Sequence, residues 1–114
     1  MNQSMQQLIS IFSDIIKENN YATFCYSSLD DQWFFLAGKF GTGYDCVEAV
    51  ESIESAYEKI LSECYYYWLN KNNLLFPDLT EEQIIRTLTP EIREVLDRFM
   101  EPYIREASKI LPCQ

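Results

Sequence analysis

The longest run of regularly spaced apolar residues lies between Asp45 and Asn70. Steps of four and three residues recur throughout this run, and they bring side chains onto one face of a helix. Asp45 and Glu48 stand three residues apart at its front, as in a capping box, so we expect the helix to begin at Asp45. A helix over residues 45–69 would be roughly 36 Å long at 1.5 Å per residue, comparable with the diameter of a small domain. Its predicted apolar face consists of Cys46, Val50, Ile53, Tyr57, Ile60, Cys64 and Tyr67.

Two shorter stretches have the same helical spacing, and each follows a capping signal. Residues 5–18 follow a capping box made of Ser4 and Gln7, and residues 81–88 follow one that starts at Thr80. Both stretches are therefore predicted to be amphipathic helices that pack through one side.

The C-terminal stretch predicts a further amphipathic helix. Thr89 is a suitable N-cap, and Pro90 occupies the first helical position, where a missing N–H costs nothing. Pro102 lies inside the pattern and is expected to kink or split the helix, because proline cannot donate the backbone hydrogen bond of a helix interior.

Aromatic and β-branched residues replace the helical pattern between residues 21 and 37. Residues 21–26 and 32–37 predict two strands joined by the polar turn 27–31, and Phe40 is a candidate for a third strand. A two-stranded hairpin is marginal alone and needs a helix or another strand beside it. The sequence thus predicts an α+β fold, in which a β-hairpin or three-stranded antiparallel sheet packs against about four helices, one of them long and central.

All three glycines occur between the predicted hairpin and the predicted long helix, at Gly38, Gly41 and Gly43. A glycine-rich turn before a helix is also the arrangement that binds phosphates. The spacing matches neither phosphate-binding motif, and Asp45 and Glu48 would put negative charge where a phosphate sits. We therefore interpret the glycines as a tight strand-to-helix corner.

The composition is that of one folded domain covering residues 1–114, with 47% hydrophobic and 15% aromatic residues. No basic N-terminal segment precedes an apolar run, and no apolar run is long enough to span a bilayer, so we expect a cytoplasmic protein. The four cysteines are widely separated and are expected to be reduced and mostly buried: Cys25, Cys46, Cys64 and Cys113.

The net charge of −9 is unevenly distributed, with eight acids against two lysines between residues 30 and 63. Such a surface repels phosphate backbones and anionic lipids, which argues against direct nucleic-acid or membrane binding and favours a basic protein partner. The dipole of the predicted helix accounts for acids in its first turn only. The face of the predicted helix opposite the apolar one carries a row of acids: Glu48, Glu51, Glu54 and Glu58. Beyond the first turn, this row is either a solvated face or a contact surface, and the candidates for contact are Asp30, Asp31, Glu51, Glu54 and Glu58.

Four consecutive aromatic residues, Tyr65 to Trp68, end the predicted long helix. They cover about 300° of its circumference at 100° per residue, so one or two of them must face away from the core. Exposed aromatic side chains are enriched in binding sites, which makes Tyr65, Tyr66 and Trp68 candidate partner contacts. In the alternative interpretation, residues 70–76 fold back and cover them.

The residue types exclude several chemistries. The chain has no histidine, which removes Ser-His-Asp and Cys-His catalysis, and it has no Cys-x-x-Cys pair for a structural zinc. The adjacent carboxylates Asp30-Asp31 and Glu81-Glu82 lie where acids are expected in turns and at helix starts. We therefore predict a protein that is not an enzyme and has no catalytic residue, metal or cofactor.

Three functional hypotheses follow from the sequence. The first is an interaction protein that docks on a basic surface of a partner; in composition alone it is similar to phage-encoded inhibitors that occupy the nucleic-acid-binding surfaces of bacterial defence enzymes, and no motif supports this resemblance. The second is a helical homo-oligomer or assembly factor that associates through Tyr65 to Trp68. The third is a regulatory domain with an aromatic small-molecule pocket formed by Trp33, Phe35, Tyr44 and Trp68.

Overall fold

A computed structural model describes residues 2–19, 22–39 and 43–111. It confirms the α+β class: a three-stranded antiparallel sheet, in the order β1-β2-β3, packs against helices, of which α3 is long and central. The elements in chain order are α1 (Asn2–Ile11), α2 (Ser13–Asn19), β1 (Ala22–Ser27), β2 (Gln32–Lys39), β3 (Gly43–Val50), α3 (Ile53–Lys71), α4 (Glu81–Thr87) and α5 (Pro90–Ser108).

The predicted start of the long helix at Asp45 is wrong. Residues 43–50 form β3, and α3 begins at Ile53 after Ser52, whose side-chain oxygen accepts a hydrogen bond of 3.1 Å from the backbone N–H of Ser55. The apolar step from Cys46 to Val50 covers four residues, an even number, so these two side chains share a face in a strand as well as in a helix. Pairing with β2 then decides in favour of the strand.

The glycine-rich segment accordingly leads from one strand to the next, and the predicted strand-to-helix corner is wrong as well. The pairing of β2 with β3 shifts by a residue between Ala37 and Gly38, which marks a β-bulge. Phe40, the candidate for a third strand, lies outside the described residues. The third strand is formed by residues 43–50 instead.

The N-terminal helix differs from its prediction in two ways. It begins at Asn2, so Ser4 lies inside α1 and does not cap it, and it is divided at Phe12 into α1 and α2. Phe12 is fully buried, and its ring stacks on Tyr103 with the ring centroids 5.4 Å apart. The break in the helix therefore coincides with one of the most tightly packed side chains.

The capping signals of the C-terminal half are confirmed. Thr80 and Gln83 form a complete capping box for α4, and Thr89 caps α5 with Pro90 at its start. Pro102 does not split the helix, because α5 continues through it to Ser108. Pro102 is exposed, so its ring lies on the solvent side of the helix.

The core lies between one face of the sheet and the helices. Six buried residues of α3 face it, together with the buried side chains Trp33, Phe35 and Val50 of the sheet. Trp33 and Val50 are register partners, and Phe35 pairs with Phe24, so these residues share the inner face of the sheet. The buried residues of α3 are Ile53, Ala56, Ile60, Cys64, Trp68 and Leu69.

Candidate contact surface

One end of the molecule brings together four of the predicted contact residues. Asp30 and Asp31 lie in the turn before β2, and the side-chain amide of Gln32 donates a hydrogen bond of 2.7 Å to the carbonyl oxygen of Val50 at the end of β3. Glu51 follows Val50 directly, and Glu54 lies in the first turn of α3. We call the four carboxylates Asp30, Asp31, Glu51 and Glu54 the acidic end.

Hydrogen bonds within the turn fix the positions of its two acids. The backbone of Asp31 is left-handed, with φ of 50°, and its carboxylate accepts a hydrogen bond from the hydroxyl of Tyr26. The hydroxyl of Ser27 donates to the carboxylate of Asp30 at 3.1 Å. Leu29, at the tip of the same turn, is 94% exposed. The turn thus presents an uncovered apolar side chain beside two carboxylates whose positions are set.

The acidic end differs from α5 in how its charges are compensated. Along α5, acids and bases pair within the helix, for example Arg98 with Glu94 at 2.6 Å and Arg105 with Glu101 at 2.6 Å. In the part of the chain that the structure describes, no lysine or arginine forms an ion pair with any of the four acids of the acidic end. Negative charge is therefore left uncompensated at this end.

Glu58 belongs to a different surface. It is exposed on α3 and lines a shallow groove between α3, α4 and α5 that also contains Arg86 and Arg93. Glu48, which the sequence placed beside it on one helix, lies on β3 and forms an ion pair with Lys59. The predicted acidic row on one helix is thus divided among a strand, a turn and two helical positions.

The aromatic residues at the other end of α3 are mostly covered. Trp68 is only 7% exposed, so we remove it from the candidate contact residues. Tyr65 and Tyr67 are half-buried, and Tyr67 stacks on Phe99 with the ring centroids 6.4 Å apart. Tyr66 is 38% exposed and lies about 18 Å along the helix from Glu54, at 1.5 Å per residue. The acidic and aromatic candidates therefore do not form one surface.

The residues proposed for an aromatic pocket are not gathered around a common space. Trp33 pairs with Val50 before α3 begins, whereas Trp68 is about 22 Å from Ile53 along that helix, at 1.5 Å per residue. The side chain of Tyr44 lies outside the described residues. A cavity between the sheet and α3, beside Phe35, is about 10 Å³ in volume, room for one water molecule at most. Three larger grooves lie elsewhere on the described residues, and Trp33, Phe35 and Trp68 line none of those three grooves.

Burial and local partners explain the shifted pKa values of the titratable groups. Burial raises the pKa of the Cys64 thiol to about 12, which keeps it protonated and unreactive at neutral pH. Burial also raises the pKa of Glu81, whose carboxylate accepts a 3.1 Å hydrogen bond from the hydroxyl of Ser62. The hydrogen bond from Lys59 lowers the pKa of Glu48. None of these groups adjoins the acidic end.

The described cysteines are free thiols, but only Cys64 is buried; Cys25 is exposed and Cys46 is half-exposed. The expectation of mostly buried thiols therefore holds for one of three, and Cys113 lies outside the described residues. Across residues 2–19, 22–39 and 43–111, no group of three or more Cys, Asp or Glu side chains is arranged to hold a metal ion. Within the same ranges, no helix has the length and apolar character needed to cross a membrane.

No protein-family model, curated protein or solved structure matches this chain. The functional interpretation accordingly depends on the geometry alone. Sequence reasoning missed Leu29 as part of the contact surface, although an apolar residue inside an otherwise polar predicted turn was a visible signal.

Proposed function

We propose that this chain is a non-enzymatic interaction protein that binds a basic surface of a protein partner through its acidic end. The observation that carries the proposal is the uneven compensation of charge: acids along α5 form ion pairs, whereas those of the acidic end form none with the described residues. Unpaired carboxylates on one side produce a local negative potential, which attracts a basic partner and orients it during the encounter.

Leu29 supplies an apolar contact within this surface. A specific interface needs side chains that lose their water on binding, surrounded by polar groups at the rim. Leu29 is almost fully exposed and stands beside Asp30 and Asp31, whose positions are fixed by hydrogen bonds within the turn. Leu29 therefore adds an exposed apolar side chain beside the carboxylates of the acidic end.

The class of partner follows from the charge. Proteins that bind nucleic acid carry arrays of lysine and arginine that contact phosphates. The four carboxylates of the acidic end present such an array with negative charges in place of the phosphates, and hydrogen bonds fix the positions of Asp30 and Asp31. We propose that the chain is an inhibitor that occupies the basic surface with which an enzyme binds nucleic acid, as the phage anti-defence inhibitors do.

A comparison of two variants with equal net charge tests this proposal. Each variant neutralises four acids and so changes the net charge from −9 to −5. Binding partners are captured from a lysate of the source organism, identified by mass spectrometry, and titrated as purified proteins at low and high salt. The acidic-end variant carries Asp30→Asn, Asp31→Asn, Glu51→Gln and Glu54→Gln. The control carries Glu94→Gln, Asp97→Asn, Glu101→Gln and Glu106→Gln.

We expect the acidic-end variant to lose the partner and the control to retain it. Neutralising several contacts that each contribute about 1 kcal/mol weakens binding at least tenfold, and raising the salt weakens the wild-type complex because ions screen the attraction. An affinity that does not change with salt, or an equal loss in the two variants, would contradict the proposal.

A further inference from the structure

The two edges of the sheet differ in how they are protected against pairing with another strand. Exposed edges of native sheets are usually blocked by charged side chains, prolines, bulges or inward-pointing charges. The β3 edge has such a device in Glu48. Glu48 is the register partner of the buried Phe35, so it is a charge on the inner face of the sheet, and it forms an ion pair with Lys59. A bulge also interrupts the pairing of β3 with β2.

The β1 edge has none of these devices. β1 has a single strand neighbour, β2, in the part of the chain that the structure describes. No charged residue or proline occurs between Glu18 and Asp30, the segment that contains β1. Cys25, near the middle of the strand, is exposed on the outer face of the sheet opposite Phe34. An uncharged, straight edge strand of this kind readily adds another strand.

We infer that β1 pairs antiparallel with β1 of a second copy, so that two three-stranded sheets join into one of six strands. Charge selects a second copy as the occupant. Antiparallel pairing brings the turn after β1, with Asp30 and Asp31, to the side where α2 of the other copy ends. That helix carries the exposed Lys17, which forms no ion pair with the described residues of its own chain.

The expected association is weak. Pairing of one six-residue strand buries less than the roughly 800 Å² per partner of a stable interface, so monomer and dimer exchange with concentration. The attraction of Lys17 to Asp30 and Asp31 of the other copy opposes the repulsion between two copies that each carry a net charge of −9, and salt screens both. Cys25→Lys leaves all four carboxylates of the acidic end unchanged, so loss of the dimer and loss of the basic partner are measured with different variants, and the two proposals fail or succeed separately.

The test combines sedimentation equilibrium with crosslinking. The association constant is measured for the wild type, for Cys25→Lys and for the control Val47→Lys, which puts the same charge on the outer face of the opposite edge strand. In the joined sheet, residue 25 of one copy lies about 5 Å from residue 25 of the other if the two are directly opposite. The distance is about 7–8 Å if they are diagonal neighbours across the two strands. Two lysines at position 25 repel each other there, and we expect the association constant to fall at least tenfold.

Crosslinking uses the native Cys25 and so does not depend on the lysine variant being folded. A short bis-maleimide is added to protein carrying Cys46→Ser and Cys113→Ser, in which the buried Cys64 is unreactive. We expect a covalent dimer that is absent when Cys25→Ser is added. A monomer at every concentration up to about 1 mM would overturn the inference. So would a dimer that Cys25→Lys leaves intact or that Cys25 does not crosslink, since its interface would lie elsewhere.

Discussion

Tyr103 joins the two ends of the chain through a single hydroxyl group. It lies on α5, and its hydroxyl donates a hydrogen bond of 2.7 Å to the carboxylate of Asp14 on α2, 89 residues earlier. Its ring stacks on the buried Phe12, at the break between α1 and α2. The periodic pattern predicted that both helices have an apolar face, but it contained no signal for this contact, because no local spacing relates residues so far apart.

Replacing Tyr103 with phenylalanine should reveal the contribution of this hydrogen bond. We expect Tyr103→Phe to lower the free energy of unfolding by about 1 kcal/mol, because the ring stays packed while the bond to a charged acceptor is lost. Urea denaturation measures the change, and Tyr66→Phe, on an exposed tyrosine of α3, serves as the control with little expected effect. Equal stability of Tyr103→Phe and the wild type would show that the hydroxyl contributes nothing.

The contribution of the same hydrogen bond should fall in alkaline solution. Burial, and then the hydrogen bond to Asp14, raise the pKa of Tyr103 above that of an unfolded tyrosine. A raised pKa means that the folded state favours the protonated hydroxyl, so its contribution is complete below the unfolded pKa. The difference between wild type and Tyr103→Phe should therefore be constant near neutral pH and shrink as the pH rises through the folded pKa.

Helix ends could be predicted from the sequence wherever the signal is local. The caps at Thr80 and Thr89 involve atoms three residues apart, and the end of α3 after Asn70 is a Schellman motif around the left-handed Asn73, which has φ of 57°. The start of α3 could not be predicted in this way. The helical and strand patterns agree over Cys46 and Val50, and the choice between them depends on pairing with residues of β2 that lie nine positions before Cys46 and 17 before Val50.

The start of α3 can be tested with two matched substitutions. Ser52→Ala removes the side-chain oxygen that accepts from the N–H of Ser55, and we expect it to lower the free energy of unfolding by about 1 kcal/mol. Asp45→Ala alters the residue that the sequence pattern favoured as the cap, and it should not cost a cap because its backbone lies in β3. Thermal or urea unfolding of both variants decides between the two helix starts. A larger loss of unfolding free energy for Asp45→Ala than for Ser52→Ala would place the helix start at Asp45.

For the whole molecule, the charge was evident from the sequence, but its arrangement was not. The sequence predicted a row of acids on one helix, whereas the acidic end is assembled from a turn, a strand end and the start of α3. The hydrogen bond from Gln32 to the carbonyl oxygen of Val50 brings these parts together. Which acids form ion pairs depends on this arrangement: the i,i+4 pairs of α5 are encoded locally, whereas no local spacing indicates that Glu51 forms no ion pair with the described residues.

Two charge reversals that give the same net charge should therefore have opposite effects on stability. Glu51→Lys and Glu94→Lys each change the net charge from −9 to −7. At low salt we expect Glu51→Lys to stabilise the fold by a few tenths of a kcal/mol, because it relieves repulsion among unpaired acids. Glu94→Lys should destabilise it by about 0.5 kcal/mol, because a lysine then faces Arg98 four residues along α5. Urea unfolding at low and at high salt measures both effects, and screening should reduce both toward zero. If the two variants changed stability equally, net charge alone would control it, and the uneven pairing on which the acidic end is defined would have no energetic consequence.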